Sequence, residues 1–180
     1  MFVGMTAPAS SISKEAARAL TRDLDPGRFR FSLWRNVSMT TWTAQATLEA
    51  GHRILRLSRQ LNLELPQGRS LIMFVCAGAP VPEQAASELL TEVYNRKLSG
   101  IVCIATVLEG SGFWASAILS KITSMRIAGG NDMAVRTQET IDEVVKWLPR
   151  EHEQRTGVKL DPDELKAVMI SVRALGTSDE

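Results

Sequence analysis

The sequence has almost no excess of charge of either sign, and this absence limits the class of partner that we expect. Its 180 residues contain 21 Lys and Arg against 20 Asp and Glu, which gives a formal net charge of +1. Basic and acidic residues alternate along the chain, whereas proteins that bind DNA or RNA concentrate basic residues in a patch that neutralises phosphates. We therefore predict no nucleic-acid partner.

Long apolar runs are also missing. A membrane-spanning helix needs roughly 18 or more apolar residues in a row, and the longest runs here, Leu71 to Ala77 and Ile101 to Leu108, are far shorter. The segment from Met1 to Pro8 has neither the basic start nor the apolar length of a signal peptide. We predict no membrane segment and a cytoplasmic location.

Cysteine and histidine are scarce, which argues against disulfide, metal and hydrolase chemistry. Cys76 and Cys103 each lie inside one of the two apolar runs, where a cysteine is usually a small buried apolar residue. His52 and His152 have no cysteine or carboxylate at a metal-ligand spacing, and the sequence contains no G-x-S-x-G turn. We predict no metal site and no catalytic residues, and we expect both histidines to face solvent.

The sequence does contain short apolar strands that alternate with amphipathic helices. We predict strands over 28–34, 70–76, 101–108 and 132–136, and helices over 38–61, 80–99, 113–125 and 141–148. Such an alternation is typical of an α/β fold with right-handed crossovers. We therefore predict about four strands in a mostly parallel or mixed sheet, packed with helices.

The chain divides into three predicted segments. They are residues 1–27, residues 28–148 and residues 149–180. The first is predicted to be an appendage with a short helix that includes Leu20 and Leu24. The second is the α/β domain. The third is predicted to be a charged linker and an extra C-terminal helix, with Asp161 as N-cap and Pro162 in its first turn. The apolar stripe of that helix must be buried, against this domain or a neighbour, and a homodimer through it is one alternative.

The turn after the third predicted strand is the segment most suited to binding an anion. It has the sequence Glu109-Gly110-Ser111-Gly112 and leads into a helix, whose free N–H groups and positive dipole end attract negative charge. Gly110, Gly112 and Ala115 also satisfy G-x-G-x-x-A, but no acidic residue ends the next strand to hold a ribose. We predict no cofactor, and we attribute the glycines to a tight turn with close helix packing.

The order of the elements and this turn resemble the STAS domain, the fold of bacterial anti-sigma factor antagonists. In that family a strand ends in an acidic residue, one or two Ser/Thr and a glycine, and a partner kinase phosphorylates a hydroxyl there. Val107 to Phe113 aligns with this pattern, and roughly 28–148 follows the family's order of elements. The chain departs from the family at Gly110, which occupies the usual phosphoacceptor position, and at Glu109, which replaces aspartate. The resemblance implies a STAS-like fold and makes Ser111 a candidate phosphorylation site.

These observations predict a non-catalytic, regulatory module that binds another protein. Phe113, Trp114 and Trp42 are the candidate interface residues, because aromatic side chains are enriched at interface hot spots. Burial in the core is the competing interpretation of the two tryptophans. The alternative function is a domain that binds a small ligand, a nucleotide or another anion at the helix start formed by Gly110, Ser111 and Gly112.

Overall fold

One mixed sheet forms the centre of the structure, a computed structural model that describes residues 20–25 (backbone only), 29–130 and 132–175. Within these ranges the chain forms six strands in a single sheet and six α-helices. The predicted α/β class and mixed sheet are confirmed. The predicted number of about four strands is too low.

The six strands lie side by side in the order in which they occur in the sequence. They are β1 (Leu20–Asp25), β2 (Phe29–Trp34), β3 (Val37–Trp42), β4 (Arg69–Val75), β5 (Ile101–Leu108) and β6 (Ala134–Gln138). The pairs β1–β2 and β2–β3 are antiparallel, whereas β3, β4, β5 and β6 run parallel to one another. The sheet therefore combines an antiparallel edge with a parallel half that needs crossover helices.

Helices cover both faces of this sheet. Those between strands are α1 (Leu48–Glu64), α2 (Gln84–Leu90), a 3₁₀ turn (Thr91–Tyr94), α3 (Arg96–Ser99) and α4 (Gly112–Gly129), and those after β6 are α5 (Ile141–Thr156) and α6 (Pro162–Leu175). Each crossover connection leads to the next strand of the sheet, always in the same direction across the sheet, and such connections are right-handed. Their helices α1, α2 and α4 therefore share one face, and α5 and α6 cover the other.

The alternation of side chains along the strands divides the core in two. Leu71 and Val75 of β4 pack with α1, α2 and α4, whereas Ile72 and Phe74 pack with α5 and α6. Because β4 and β5 are covered on both faces, their sequences are nearly continuous apolar runs, as predicted. Cys103 lies within β5 and is buried with a free thiol.

Two strands occur where the sequence predicted helix. Leu20–Asp25 pairs with β2, so the helical interpretation of Leu20 and Leu24 is wrong and the sheet begins before residue 28. The rest of the predicted appendage, 1–19 and 26–27, lies outside the described residues. Val37–Trp42 is a strand, and α1 begins only at Leu48. The Ser and Thr residues of 38–43 are typical of helix caps, but strand neighbours on both sides override that local preference.

The predicted linker after Pro149 is largely helical. The helix α5 continues through Pro149 to Thr156, because an internal proline removes only one backbone hydrogen bond when packing holds the helix on the sheet. The helix α6 begins as predicted, and the Asp161 carboxylate accepts hydrogen bonds from the backbone N–H groups of Asp163 and Glu164 at 2.9 and 3.0 Å. The apolar stripe of α6 is buried against this sheet, so the helix is part of the same fold.

Candidate functional site

An apolar cavity lies between the sheet and the helices α1, α2 and α4. The space that the centre of a water molecule can occupy in it is about 90 Å³, whereas one water needs about 10–15 Å³. Representative lining residues are Leu71, Met73 and Val75 on the sheet and Ile54, Ile118 and Ile122 on the helices. The cavity is therefore large enough to admit part of an apolar molecule.

The cavity extends along strand β4. Arg69 lines one end and Val75 lines the other, and six steps along a parallel strand span about 20 Å. Two loop residues line the Val75 end of the cavity. Ala44, in the loop after β3, is half-buried, and Pro80, in the loop after β4, is exposed. At the other end Arg69 is only 1% exposed. The cavity thus opens at the carboxyl edge of the parallel strands and is closed at their amino edge.

A buried guanidinium closes the inner end of the cavity. Arg69 Nε donates a hydrogen bond to Ser38 Oγ at 3.4 Å, and Nη1 donates to the carbonyl oxygens of Ser58, at 3.5 Å, and Ser99. Within the described part of the chain, Arg69 forms no ion pair with a carboxylate. Burial lowers the pKa of Arg69 to about 10. The group therefore remains a cation near neutral pH, and no described carboxylate neutralises it.

Two residues that line the cavity have a buried hydroxyl group without a hydrogen-bond partner among the described residues. The two atoms are Thr40 Oγ1 and the phenolic oxygen of Tyr94. Most buried polar atoms in folded proteins are paired, and leaving one unpaired costs about 1–3 kcal/mol. Burial also raises the pKa of Tyr94, so its hydroxyl stays protonated and can donate. A polar group of a bound molecule could pair with either hydroxyl.

A second polar cluster lies on the opposite face of the sheet. His152 is 0% exposed, so the expectation that it faces solvent is wrong, whereas His52 is exposed as expected. The Ser70 hydroxyl donates to His152 Nδ1 at 2.6 Å, and His152 Nε2 donates to Asn36 Oδ1 at 3.0 Å. Burial lowers the pKa of His152 to about 4, which keeps the imidazole neutral.

In this cluster Ser70, His152 and Asn36 are arranged like a nucleophile, a general base and an amide that orients the base. However, Ser70 and His152 are both 0% exposed, so a substrate cannot reach the hydroxyl in this conformation. The chain of hydrogen bonds joins β4, α5 and the turn before β3. Its evident role is to satisfy buried polar groups where α5 packs on the sheet.

The predicted anion site at the turn lies beside the C-terminal helix and outside the cavity lining. The Glu109 carboxylate accepts a hydrogen bond from Arg173 Nη2 at 2.6 Å. Gly110 has a φ of 135°, and a Cβ there would lie 2.8 Å from the Trp114 ring. Ser111 is exposed and precedes α4 without a side-chain capping bond, and Gly112 follows it with a φ of 78°. A side chain at residue 110 would therefore clash with the Trp114 ring, and the Ser111 side chain is exposed to solvent.

The three candidate interface residues lie in different surroundings. Phe113 is 92% exposed beside the turn. Trp114 is half-buried, and its Nε1 donates to the carbonyl oxygen of Ala79 at 2.7 Å, which fixes the loop after β4. Trp42 is half-buried, its ring centroid lies 4.3 Å from that of Phe29, and it lines the cavity. Of these three, only Phe113 is presented fully to solvent.

The sequence interpretation missed Arg69 and Tyr94 as site residues. A signal for Arg69 existed, because it immediately precedes the strand predicted over 70–76, and the amino end of a doubly covered strand is itself buried. Tyr94 carried the weaker signal of a tyrosine on the apolar stripe of a predicted helix. The sequence does not reveal that the Tyr94 hydroxyl lacks a described hydrogen-bond partner, because this follows from tertiary contacts.

Two further classes of site have no candidate among the described residues. Across 20–25, 29–130 and 132–175, no helix combines the length and apolar character that crossing a membrane requires, and no three His, Cys, Asp or Glu side chains are placed to hold a metal ion. Comparisons of the chain with family models, with curated proteins and with solved structures find no match. The resemblance to STAS domains therefore remains a prediction from the sequence pattern.

Proposed function

We propose that the protein binds a small apolar molecule in the cavity between the sheet and the helices α1, α2 and α4. The observation that carries this proposal is the cavity itself, which is apolar along its walls and has polar groups at a few positions. This combination is typical of ligand sites. The sequence predicted, as its alternative function, a small-ligand site at the turn around Gly110. Our proposal keeps the small ligand but assigns it to the interior cavity.

The energetic cost of an empty cavity supports this function. Protein interiors are packed as densely as organic crystals, with few voids larger than a water molecule. At about 24 cal/mol per Å³, contacts that fill about 90 Å³ contribute about 2 kcal/mol. An apolar ligand would gain this free energy because its atoms contact the walls. Binding would therefore stabilise the native state.

The chemistry of the lining favours binding over catalysis. Among the described residues that line the cavity, the ionisable side chains are Arg69, Lys121 and Tyr94. Neither a carboxylate, an imidazole nor a thiol stands beside them to act as a general base or a nucleophile. The predicted protein-binding role remains a prediction from the sequence, and the full exposure of Phe113 is compatible with it.

Titration with straight-chain alcohols measures this binding. We expect 1-octanol to bind with one site per chain in isothermal titration calorimetry and to raise the melting temperature, since it binds only the folded state. Each added methylene from 1-hexanol to 1-octanol should strengthen binding about fourfold, because burying one methylene contributes about 0.8 kcal/mol.

A cavity-filling variant provides the control. Ala46 is buried and lines the cavity, so Ala46→Leu should weaken 1-octanol binding at least about tenfold while leaving the melting temperature unchanged or higher. Ala85 is exposed on α2, and Ala85→Leu should bind 1-octanol as the parent chain does. Equal affinity in the parent chain and in a folded Ala46→Leu variant would place the alcohol elsewhere and contradict the proposal.

A further inference from the structure

The chemistry of the inner end of the cavity indicates which class of apolar molecule fits. Arg69 is 1% exposed and lines the cavity together with apolar residues of the sheet and of α1. A buried charge that lacks a partner of opposite sign is strongly unfavourable, and buried arginines are normally paired with carboxylates. Within the described residues, no acidic side chain makes that pair. The counter-charge is therefore missing from the part of the chain described here.

The hydrogen bonds of Arg69 leave one side of the guanidinium unused. An arginine has five N–H donors, and its described acceptors are one hydroxyl and two backbone carbonyls. All three bonds come from Nε and Nη1, so neither donor of Nη2 has a described acceptor. All three acceptors are uncharged. An anionic oxygen at Nη2 would complete the hydrogen bonding and neutralise the charge together.

The geometry points to a specific ligand class: we propose that the cavity binds a carboxylic acid, whose carboxylate pairs with Arg69 and whose hydrocarbon part lies along Leu71, Met73 and Val75 towards the opening. This inference rests on the proposed function and adds the chemistry of the ligand. The apolar wall between Arg69 and the opening requires a hydrocarbon, and the single guanidinium at the closed end requires one negative charge.

A carboxylate fits this end of the cavity better than a phosphate. Among the described residues that line the cavity, Arg69 is the one cation at this end, since Lys121 of α4 donates a hydrogen bond to Gln84 Oε1 at the start of α2, beyond the carboxyl end of β4. The carbonyl oxygens of Ser58 and Ser99 lie beside the guanidinium. They would repel the second negative charge and the additional oxygens of a phosphate monoester.

Calorimetry with matched ligands tests the inference in the full chain at neutral pH. Octanoate and octanamide have the same hydrocarbon part and differ in charge, and octyl phosphate offers the other anion. We expect octanoate to bind about tenfold to a hundredfold more tightly than octanamide, the range typical of hydrogen bonds to a charged group. Octyl phosphate should bind more weakly than octanoate.

Two variants assign the preference to Arg69. Arg69→Met keeps an apolar side chain of similar length and should bind octanoate no more tightly than octanamide. Arg69→Lys keeps the positive charge but lacks the planar guanidinium with its paired N–H donors. It should retain part of the preference for octanoate over octanamide. Circular dichroism identifies the variants that fold. If neither variant folds, the parent chain alone still tests the inference, because equal affinity for octanoate and octanamide would overturn it.

The pattern of results separates this inference from the function on which it depends. Binding of 1-octanol and octanamide without any preference for octanoate would leave the cavity as a ligand site and reject the acid. A preference for octanoate that persists in folded Arg69→Met would place the charge contact at another residue and reject the role of Arg69. Binding of none of these compounds would reject the proposed function as well.

Discussion

Replacing Leu165 with alanine is expected to lower the free energy of unfolding by about 2 to 5 kcal/mol. Leu165 lies on α6, is 0% exposed and packs with Leu148 of α5 and Phe74 of β4 in the second core. The crossover helices occupy the other face of the sheet, so among the described helices only α5 and α6 cover this one. A cavity at Leu165 should therefore destabilise the whole fold. Urea denaturation followed by circular dichroism measures the loss.

The same helix supplies a matched control. Ile170 is 51% exposed, and Ile170→Ala should change the free energy of unfolding by no more than about 0.5 kcal/mol. Both substitutions place alanine in α6, so both gain helix propensity. Similar small losses for Leu165→Ala and Ile170→Ala would show that α6 does not pack on the sheet in solution. A homodimer through its stripe would then be the better interpretation.

Acidification is expected to destabilise the protein through His152. Its pKa is lowered to about 4 in the folded chain, whereas an unfolded histidine has a pKa of about 6.5. Between these values the unfolded state binds a proton that the folded state does not bind. The stabilisation is complete above about pH 6.5 and is lost as the pH falls towards about 4. At about 1.4 kcal/mol per pH unit, the loss near pH 4.5 is about 2 to 3 kcal/mol.

Urea denaturation at neutral pH and near pH 4.5 measures this effect. The parent chain should lose the stated free energy, and His152→Gln, which has no titrating group, should lose about 2 kcal/mol less over the same interval. His52 is exposed, so His52→Gln should follow the parent chain. A parent chain and a His152→Gln variant with the same dependence on pH would show that His152 is not buried in its neutral form.

The central strands β4 and β5 were predictable because their sequences carry a signal of their own. The segments that became β4 and β5 are apolar runs bounded by turn residues, as expected for strands covered on both faces. The strand β3 was not predictable in this way. Its sequence Val37–Trp42 mixes Ser and Thr with apolar residues, and only pairing with both β2 and β4 identifies it as a strand.

The sequence also did not predict that two polar side chains are buried, Arg69 at the cavity and His152 beside the second core, and the reason is similar. Arg69 is held by carbonyl groups of Ser58 and Ser99, which are 11 and 30 residues away in the sequence. The partners of His152, Ser70 and Asn36, are 82 and 116 residues away. The charged residues on both sides of His152 indicate exposure, whereas the burial of both side chains follows from these long-range contacts. The helical spacing of Val144, Leu148 and His152 was the one local signal that could have placed the histidine inside.

The topology explains why the cavity lies where it does. Three crossovers of one hand bring α1, α2 and α4 to the same face of β3, β4 and β5. The strand order has no reversal that would open a crevice at the carboxyl edge, which is where α/β sheets usually bind ligands. Beneath these helices, small side chains such as Ala46 and Ala79 leave space. The proposed ligand site is therefore internal, with its opening at that edge.

Methionine methyl resonances offer the most direct test of an internal ligand site. Met73 and Met125 line the cavity, whereas Met39 and Met169 lie on the opposite face of the sheet. In a titration of ¹³C-methyl-methionine protein with 1-octanol, the signals of Met73 and Met125 should shift to saturation while those of Met39 and Met169 stay in place. No shift at Met73 and Met125, or equal shifts at all four, would contradict the account.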